Sequence, residues 1–279
     1  MKSSPYFDIT EKINLKTISD LLVLNKEHTY MSPGVLLKDK PSEILPHELI
    51  LKSHFLKEYY KTFFYSSETC GLFRGQTKSW PLLPSSYRIK LLNIKKPSEE
   101  KIRSVYESSN WQFHEFCKRA YQQNLDFPKS IIERMVIAQH YGIKTPLLDW
   151  TKNIFAAVYF AINYKITEEK GIFSPVIYHL KNERLLNYNI DEKHIEFINK
   201  SYYIKPLPLD KRIDRQFSAL TFHPVPFYTS YKIPITEYNI SEYLINDLRD
   251  IMQGMGLTSY HYFPDYAGIA EKIKQNLML

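Results

Sequence analysis

The run Ile154 to Ile162 (IFAAVYFAI) constrains this chain more than any other stretch, because it is apolar on almost every side of a helix. A helix without a polar face must be enclosed by other elements or by lipid. This one is far short of the ~20 residues needed to cross a bilayer, so it is expected at the centre of a soluble core. The residues before it, QHYGIKTPLLDWT, carry the polar chemistry. A helix ending in Gln139, His140 and Tyr141 is expected to stop at Gly142. A short loop then holds Asp149 beside Trp150, and Thr151 opens the apolar helix. A carboxylate and an imidazole at the edges of two buried elements carry a desolvation cost. A fold accepts that cost to fix a loop by hydrogen bonds or to build a site.

The chain has 279 residues, 44% of them hydrophobic, so it can build one large domain or two small ones and is not a disordered segment. Its net charge is +7. The lysines and arginines are dispersed rather than clustered, so nucleic acid is not the favoured partner. Two cysteines, Cys70 and Cys117, cannot form a disulfide framework and fit a reducing compartment. The N-terminus shows neither a long apolar core nor a cleavage site. The expectation is a cytoplasmic protein without a membrane partner.

Residues 1–66 read as a helical region, with apolar clusters at Leu21, Leu22 and Leu24 and at Leu49 to Tyr59, separated by a turn-rich loop at 31–43. A short strand over Glu68 to Gln76 follows, broken at Gly75. Ser98 with Glu99 and Glu100 opens a long helix whose apolar face includes Ile102, Val105, Trp111, Phe113, Phe116 and Ala120. A second helix covers Ser130 to Tyr141. Strands are expected at Pro175 to Leu180, Gln216 to Phe222 and Tyr231 to Ile235, then a helix at Ile240 to Gln253, with Pro264 starting the last helix. No Gly-rich phosphate loop or βαβ regularity appears, so the fold class is α+β, a small mixed or antiparallel sheet flanked by helices.

Four positions stand out, each with two readings. Arg74 at a strand end offers a planar fork of donors for phosphate or carboxylate, and Gly75 lets a ligand approach the backbone. The alternative is an internal ion pair for Arg74 and a bulge at Gly75. His140 is either a general base or ligand-holding group, or a cap on its helix end. Asp149 either caps the apolar helix or clamps Arg74, and Trp150 beside it reads first as core. Gln216 either orients a sugar hydroxyl or a reacting water, or is a surface residue at a strand start. No HExxH or close His/Cys/Asp group suggests a metal.

Three segments resemble the FRG domain, a bacterial family named for its Phe-Arg-Gly motif. They are FRGQ at 73–76 with WPLLPSSYR at 80–88, AQHYGIKTPLLDWT at 138–151 with AVYFA at 157–161, and RIDRQFSALTFH at 212–223. The closing YFPDYAG at 262–268 is similar to the family's ending. The resemblance divides the chain into an N-terminal helical extension, 1–66, and an FRG domain, 67–279. The family's pattern is distantly similar to ADP-ribosyltransferases. That similarity implies a site for NAD as substrate, with no resident cofactor and no metal. Arg74, with Gly75 and Gln76, would grip a phosphate of NAD, and Thr151 would lie under the nicotinamide ribose beside Asp149 and Trp150. Gln216 and His140 would act at the reacting centre. The late motif differs from the transferases at Gln216 and Ser218, where many carry a glutamate, and at Phe217 or Ala219, where a glycine is usual. A glutamine stabilises an oxocarbenium-like charge less well than a carboxylate does. Two function classes follow: a nucleotide-binding pocket with transferase or NAD glycohydrolase chemistry, or a non-enzymatic module that binds protein or RNA with the motif residues purely structural.

Overall fold

A computed structural model describes residues 4–16, 71–91, 98–123, 125, 127–163, 174–181, 190, 192–197, 199–205, 211–225, 232–266, 268–270 and 273. Its centre is a mixed, seven-stranded sheet in the order β1-β7-β4-β2-β3-β6-β5. The strands are β1 (Phe7–Leu15), β2 (Leu72–Gln76), β3 (Leu147–Thr151), β4 (Val176–Leu180), β5 (Tyr202–Ile204), β6 (Ser218–Phe222) and β7 (Ile233–Ile240). Only the β1–β7 pair is parallel; every other neighbour in the order is antiparallel. The α+β expectation therefore holds.

The helices are α1 (Ser85–Leu91), α2 (Glu99–Gln122), α3 (Ile131–His140), α4 (Ile154–Ile162), α5 (Lys211–Arg215), α6 (Leu244–Gly254) and α7 (Ser259–Tyr262). The starts of α2 and α3 follow the capping rule: the Ser98 and Ser130 hydroxyls accept the Lys101 and Glu133 N–H groups. Gly142, with φ +82°, ends α3, and Ile143 N–H returns to the Ala138 carbonyl. Trp111, expected on the buried face of α2, is 66% exposed. That helix instead buries Ile102, Val105, Ser109 and Phe113, a spacing of three or four that leaves Trp111 off the stripe.

Successive residues of a strand face opposite sides of a sheet, and this separates two cores. On one side Phe73, Ile177 and Tyr238 pack against α4 and α6. On the other, Leu72, Tyr178, Leu148 and Trp150 pack against Tyr87 of α1 and Ile102 and Val105 of α2. A third cluster joins α3 to Leu147, Leu220 and Phe222. The apolar helix α4 is enclosed as its composition demands: eight of its nine residues are buried.

Several boundaries differ from expectation, for reasons of long-range pairing. The region 1–66, expected to be helical, opens instead with β1, whose Phe7 to Leu15 run alongside Ile233 to Ile240. The clusters at Leu21 to Leu24 and Leu49 to Tyr59, the loop at 31–43 and the division at 66/67 lie outside the described residues. LLDWT, expected as a loop, is β3, hydrogen-bonded along its whole length to β6. Consequently Thr151 ends a strand rather than opening a helix. Asn153 is the cap of α4, its side-chain oxygen accepting the Phe155 N–H at 2.8 Å. Ile240 ends β7, because β1 and β4 both pair with that stretch, and the helix expected from Ile240 starts at Leu244. The last helical residues begin at 266, with Asp265 accepting the Gly268 N–H, so Pro264 stands just ahead of the cap.

Candidate functional site

The site begins where two neighbouring strands barely pair. β2 and β3 share a single residue pair, Phe73↔Thr151, while β2 is paired along its full length with β4 and β3 along its full length with β6. An open cleft of about 530 Å³ lies against this weak junction. That volume falls within the roughly 300–1,000 Å³ typical of ligand sites. Arg74, Gly75, Gln76, His140, Asp149, Trp150, Thr151 and Gln216, far apart in sequence, all line it.

Arg74 bridges the gap. Its Nη1 donates to the Asp149 main-chain carbonyl at 2.6 Å and stands 3.9 Å from Asp149 Oδ2. The guanidinium side chain is 14% exposed, whereas the Asp149 side chain is 67% exposed. The internal pairing read for Arg74 is thus present, but the ion pair is loose and the close bond goes to the backbone. Arg74 Nε is buried and, among the described residues, has no hydrogen-bond partner. Burial lowers the Arg74 pKa from 12.5 to about 10, with the nearby Arg88 pushing the same way and Asp149 opposing. Arg88 lines the same cleft, and burial lowers its pKa too. Its Nε and Nη2 both donate to the Leu83 carbonyl, fixing the side chain.

Gly75 does not form a bulge. β2 and β4 stay in register through it. A Cβ at Gly75 would lie 1.8 Å from the Ala157 carbonyl oxygen and 2.8 Å from the Ala161 nitrogen. The glycine is required because α4 lies directly on β2. Gln76 is buried and donates to the Trp80 carbonyl at 3.2 Å.

Asp149 does not cap α4. Its Oδ1 accepts from Gln139 Nε2 at 2.6 Å, and Gln139 Oε1 accepts from the Thr145 hydroxyl. A side chain from the last turn of α3 therefore holds the carboxylate. Trp150 is 3% exposed, with its Nε1 donating to Thr221 Oγ1 at 2.9 Å and its ring edge-on to Phe7. Thr151 is buried; its hydroxyl donates to the Gln216 carbonyl at 2.7 Å and accepts the Asn153 N–H at 2.9 Å. Both residues present a surface to the cleft while their polar atoms tie elements together.

Gln216 lies in the turn between α5 and β6 rather than at a strand start. Its amide Nε2 donates to the Tyr262 carbonyl at 3.0 Å, linking the turn to α7. The next residue, Phe217, has φ +50°, a left-handed conformation that glycine adopts without cost. β6 proper starts one residue later, at Ser218. His140 is exposed at the rim, with its ring edge-on to Tyr141. Among the described residues no group of three or more His, Cys, Asp or Glu side chains could hold a metal ion.

Residues without an assigned role in the sequence complete the cleft. Trp80, 44% exposed, and Phe160 and Phe263 give it apolar walls, and Arg212 stacks over Phe263 while paired with Asp265. Gln139 sits inside the AQHYG segment, but its neighbours carry no signal that its amide turns toward Asp149. That contact exists only because β3 returns beside α3.

The fold and cleft define an α+β protein with an arginine-floored, partly aromatic ligand cleft against the central sheet. Residues 70–170, from just ahead of β2 to just beyond α4, match the family model of the FRG domain. The match falls on the two segments, FRGQ and AQHYGIKTPLLDWT, that led one to expect it. The segments at 212–223 and 262–268, which complete the cleft, lie outside the matched residues. No curated protein and no solved structure matches the chain. Among the described residues no helix is long and apolar enough to cross a membrane.

Proposed function

We propose that the cleft binds a phosphorylated nucleotide of the NAD or ADP-ribose type and acts on NAD as an ADP-ribosyltransferase-like enzyme or glycohydrolase. The carrying observation is that two guanidinium groups, Arg74 and Arg88, line one cleft, each held by a backbone carbonyl. A planar fork of donors suits phosphate oxygens, and the part of the Arg74 side chain that remains exposed lies at that cleft. Arg88 adds a second positive charge, and Trp80 offers an exposed ring for a base.

Titration calorimetry of the full chain with ADP-ribose and with NAD tests the reading. Binding should be present in the wild type and at least about 30-fold weaker in Arg74→Met, consistent with roughly 2 kcal/mol for one charge-assisted pair. Absence of binding to either nucleotide in the wild type rejects it.

The module reading has its own support: Gly75, Trp150 and Thr151 use their contacts to join α4, β6 and the Gln216 turn. It expects Arg74→Met to lower the melting temperature without any nucleotide effect.

A further inference from the structure

We infer that Asp149 is the catalytic carboxylate of this cleft, stabilising the positive charge that develops when the glycosidic bond of a bound nicotinamide nucleotide breaks. The inference rests on the nucleotide reading above and adds the residue and the bond. Among the described residues lining the cleft, Asp149 carries the one carboxylate. It is aimed rather than loose. The buried Thr145 hydroxyl fixes the Gln139 amide, and that amide holds Oδ1 at 2.6 Å. Its carboxylate is only loosely engaged as a counter-ion, because Arg74 places its close bond on the Asp149 carbonyl and leaves Oδ2 at 3.9 Å. A side chain that is two-thirds exposed on a strand otherwise buried at every position has a reason to face the opening.

The residues assigned catalysis from sequence are less suited to this step. The Gln216 amide is committed to the Tyr262 carbonyl, and an amide carries no charge to offset an oxocarbenium. His140 is at the exposed rim. Guanidinium and carboxylate side by side also fit the substrate, since a single ribose separates the nicotinamide-side phosphate from the carbon that reacts. With Arg74 on the phosphate, Asp149 is next to the ribose. The bond from the ribose carbon to the nicotinamide nitrogen breaks, and its electron pair leaves with neutral nicotinamide. Water adds to the oxocarbenium carbon, Asp149 takes the water proton, and ADP-ribose is released before that proton passes to solvent. Gln139 is a positioning residue that acts through Asp149.

The test is nicotinamide release from NAD by the full chain, read beside ADP-ribose calorimetry. Asp149→Asn keeps the acceptor for Gln139; it should bind ADP-ribose within about threefold of wild type and release nicotinamide at least about 100-fold more slowly, the scale of one charge-stabilising or general-base group. Gln139→Leu should lower kcat about tenfold while its melting temperature and its calorimetric stoichiometry for ADP-ribose stay at wild-type values; a folding defect would lower that stoichiometry in step with kcat. Wild-type release rates in Asp149→Asn overturn the inference, as does loss of ADP-ribose binding in that variant. Wild-type binding of ADP-ribose with no nicotinamide release overturns the catalytic role and leaves the nucleotide site standing. Failure of the wild type to bind ADP-ribose removes the nucleotide reading itself.

Discussion

The two sides of β2 are built by opposite rules. Toward α4 the strand is packed to contact: Gly75 touches the Ala157 and Ala161 backbone, and the Phe73 ring stacks on His179 with centroids 4.4 Å apart. Toward β3 the same strand is left nearly unpaired, and a buried guanidinium stands beside an open cleft. A second contrast is between acids. Glu237 on β7 is 1% exposed yet fully engaged, accepting from Lys12 at 2.7 Å and from Ser79 at 3.0 Å. Asp149 is two-thirds exposed at the cleft, held by Gln139 and only loosely paired with Arg74. Packing that forbids change and a gap that invites a ligand thus meet on one five-residue strand.

The packed side should break first and most severely. Gly75→Ala forces a methyl group into the Ala157 carbonyl, so α4 must lift from the sheet. A loss of about 4 kcal/mol or more is expected, read as a collapse of the urea midpoint or failure to fold.

His223 carries the next largest effect. It is fully buried, and its pKa is lowered by desolvation from 6.5 to about 3. Its ring lies between two hydroxyls, Nε2 2.7 Å from Thr221 Oγ1 and Nδ1 2.8 Å from Ser201 Oγ, so the neutral ring is satisfied at both nitrogens, one donating and one accepting. Above pH 6.5 the ring is neutral in both folded and unfolded chains. As pH falls toward 3 the unfolded chain takes up a proton that the folded one refuses. Stability present above pH 6.5 is lost across that window, by something on the order of 4 kcal/mol from this group. Urea unfolding at pH 7, 5 and 4 should show the decline, with a shallower slope in His223→Gln.

Glu237→Gln should cost about 2–3 kcal/mol, less than the full loss of a buried pair because Lys12 reaches solvent and keeps its hydration. Denaturation curves of the single variant check it. Arg74→Met, on the open side, should move stability by less than about 1 kcal/mol: one hydrogen bond goes, and so does a desolvated charge. The comparison is sharpest if that variant keeps its melting temperature while losing ADP-ribose. A large drop in melting temperature instead would place Arg74 with the packed side.

Much of the local structure was readable because its causes are local. Ser98 and Ser130 as caps, Gly142 as a helix stop and the apolar run at Ile154 to Ile162 each act within a few residues. The α+β class followed from their order. β1 was hidden because its partner, β7, lies more than two hundred residues away, and its exposed edge shows little apolar alternation. LLDWT looked like a loop because the polar Asp149 interrupts it; pairing with β6 satisfies the backbone and makes it a strand.

The candidate cleft divides in the same way. Residue types alone proposed Arg74, His140, Asp149 and Gln216, since a guanidinium, an imidazole and a carboxylate near buried elements need a reason. Only the tertiary structure decided that Gly75 serves helix packing, that Gln139 holds Asp149 and that the Gln216 amide belongs to Tyr262. Sequence determines which groups a chain carries and which helices can start and stop. Long-range strand pairing decides which of those groups face one another, because hydrogen bonding and desolvation depend on distances that the order of residues does not contain.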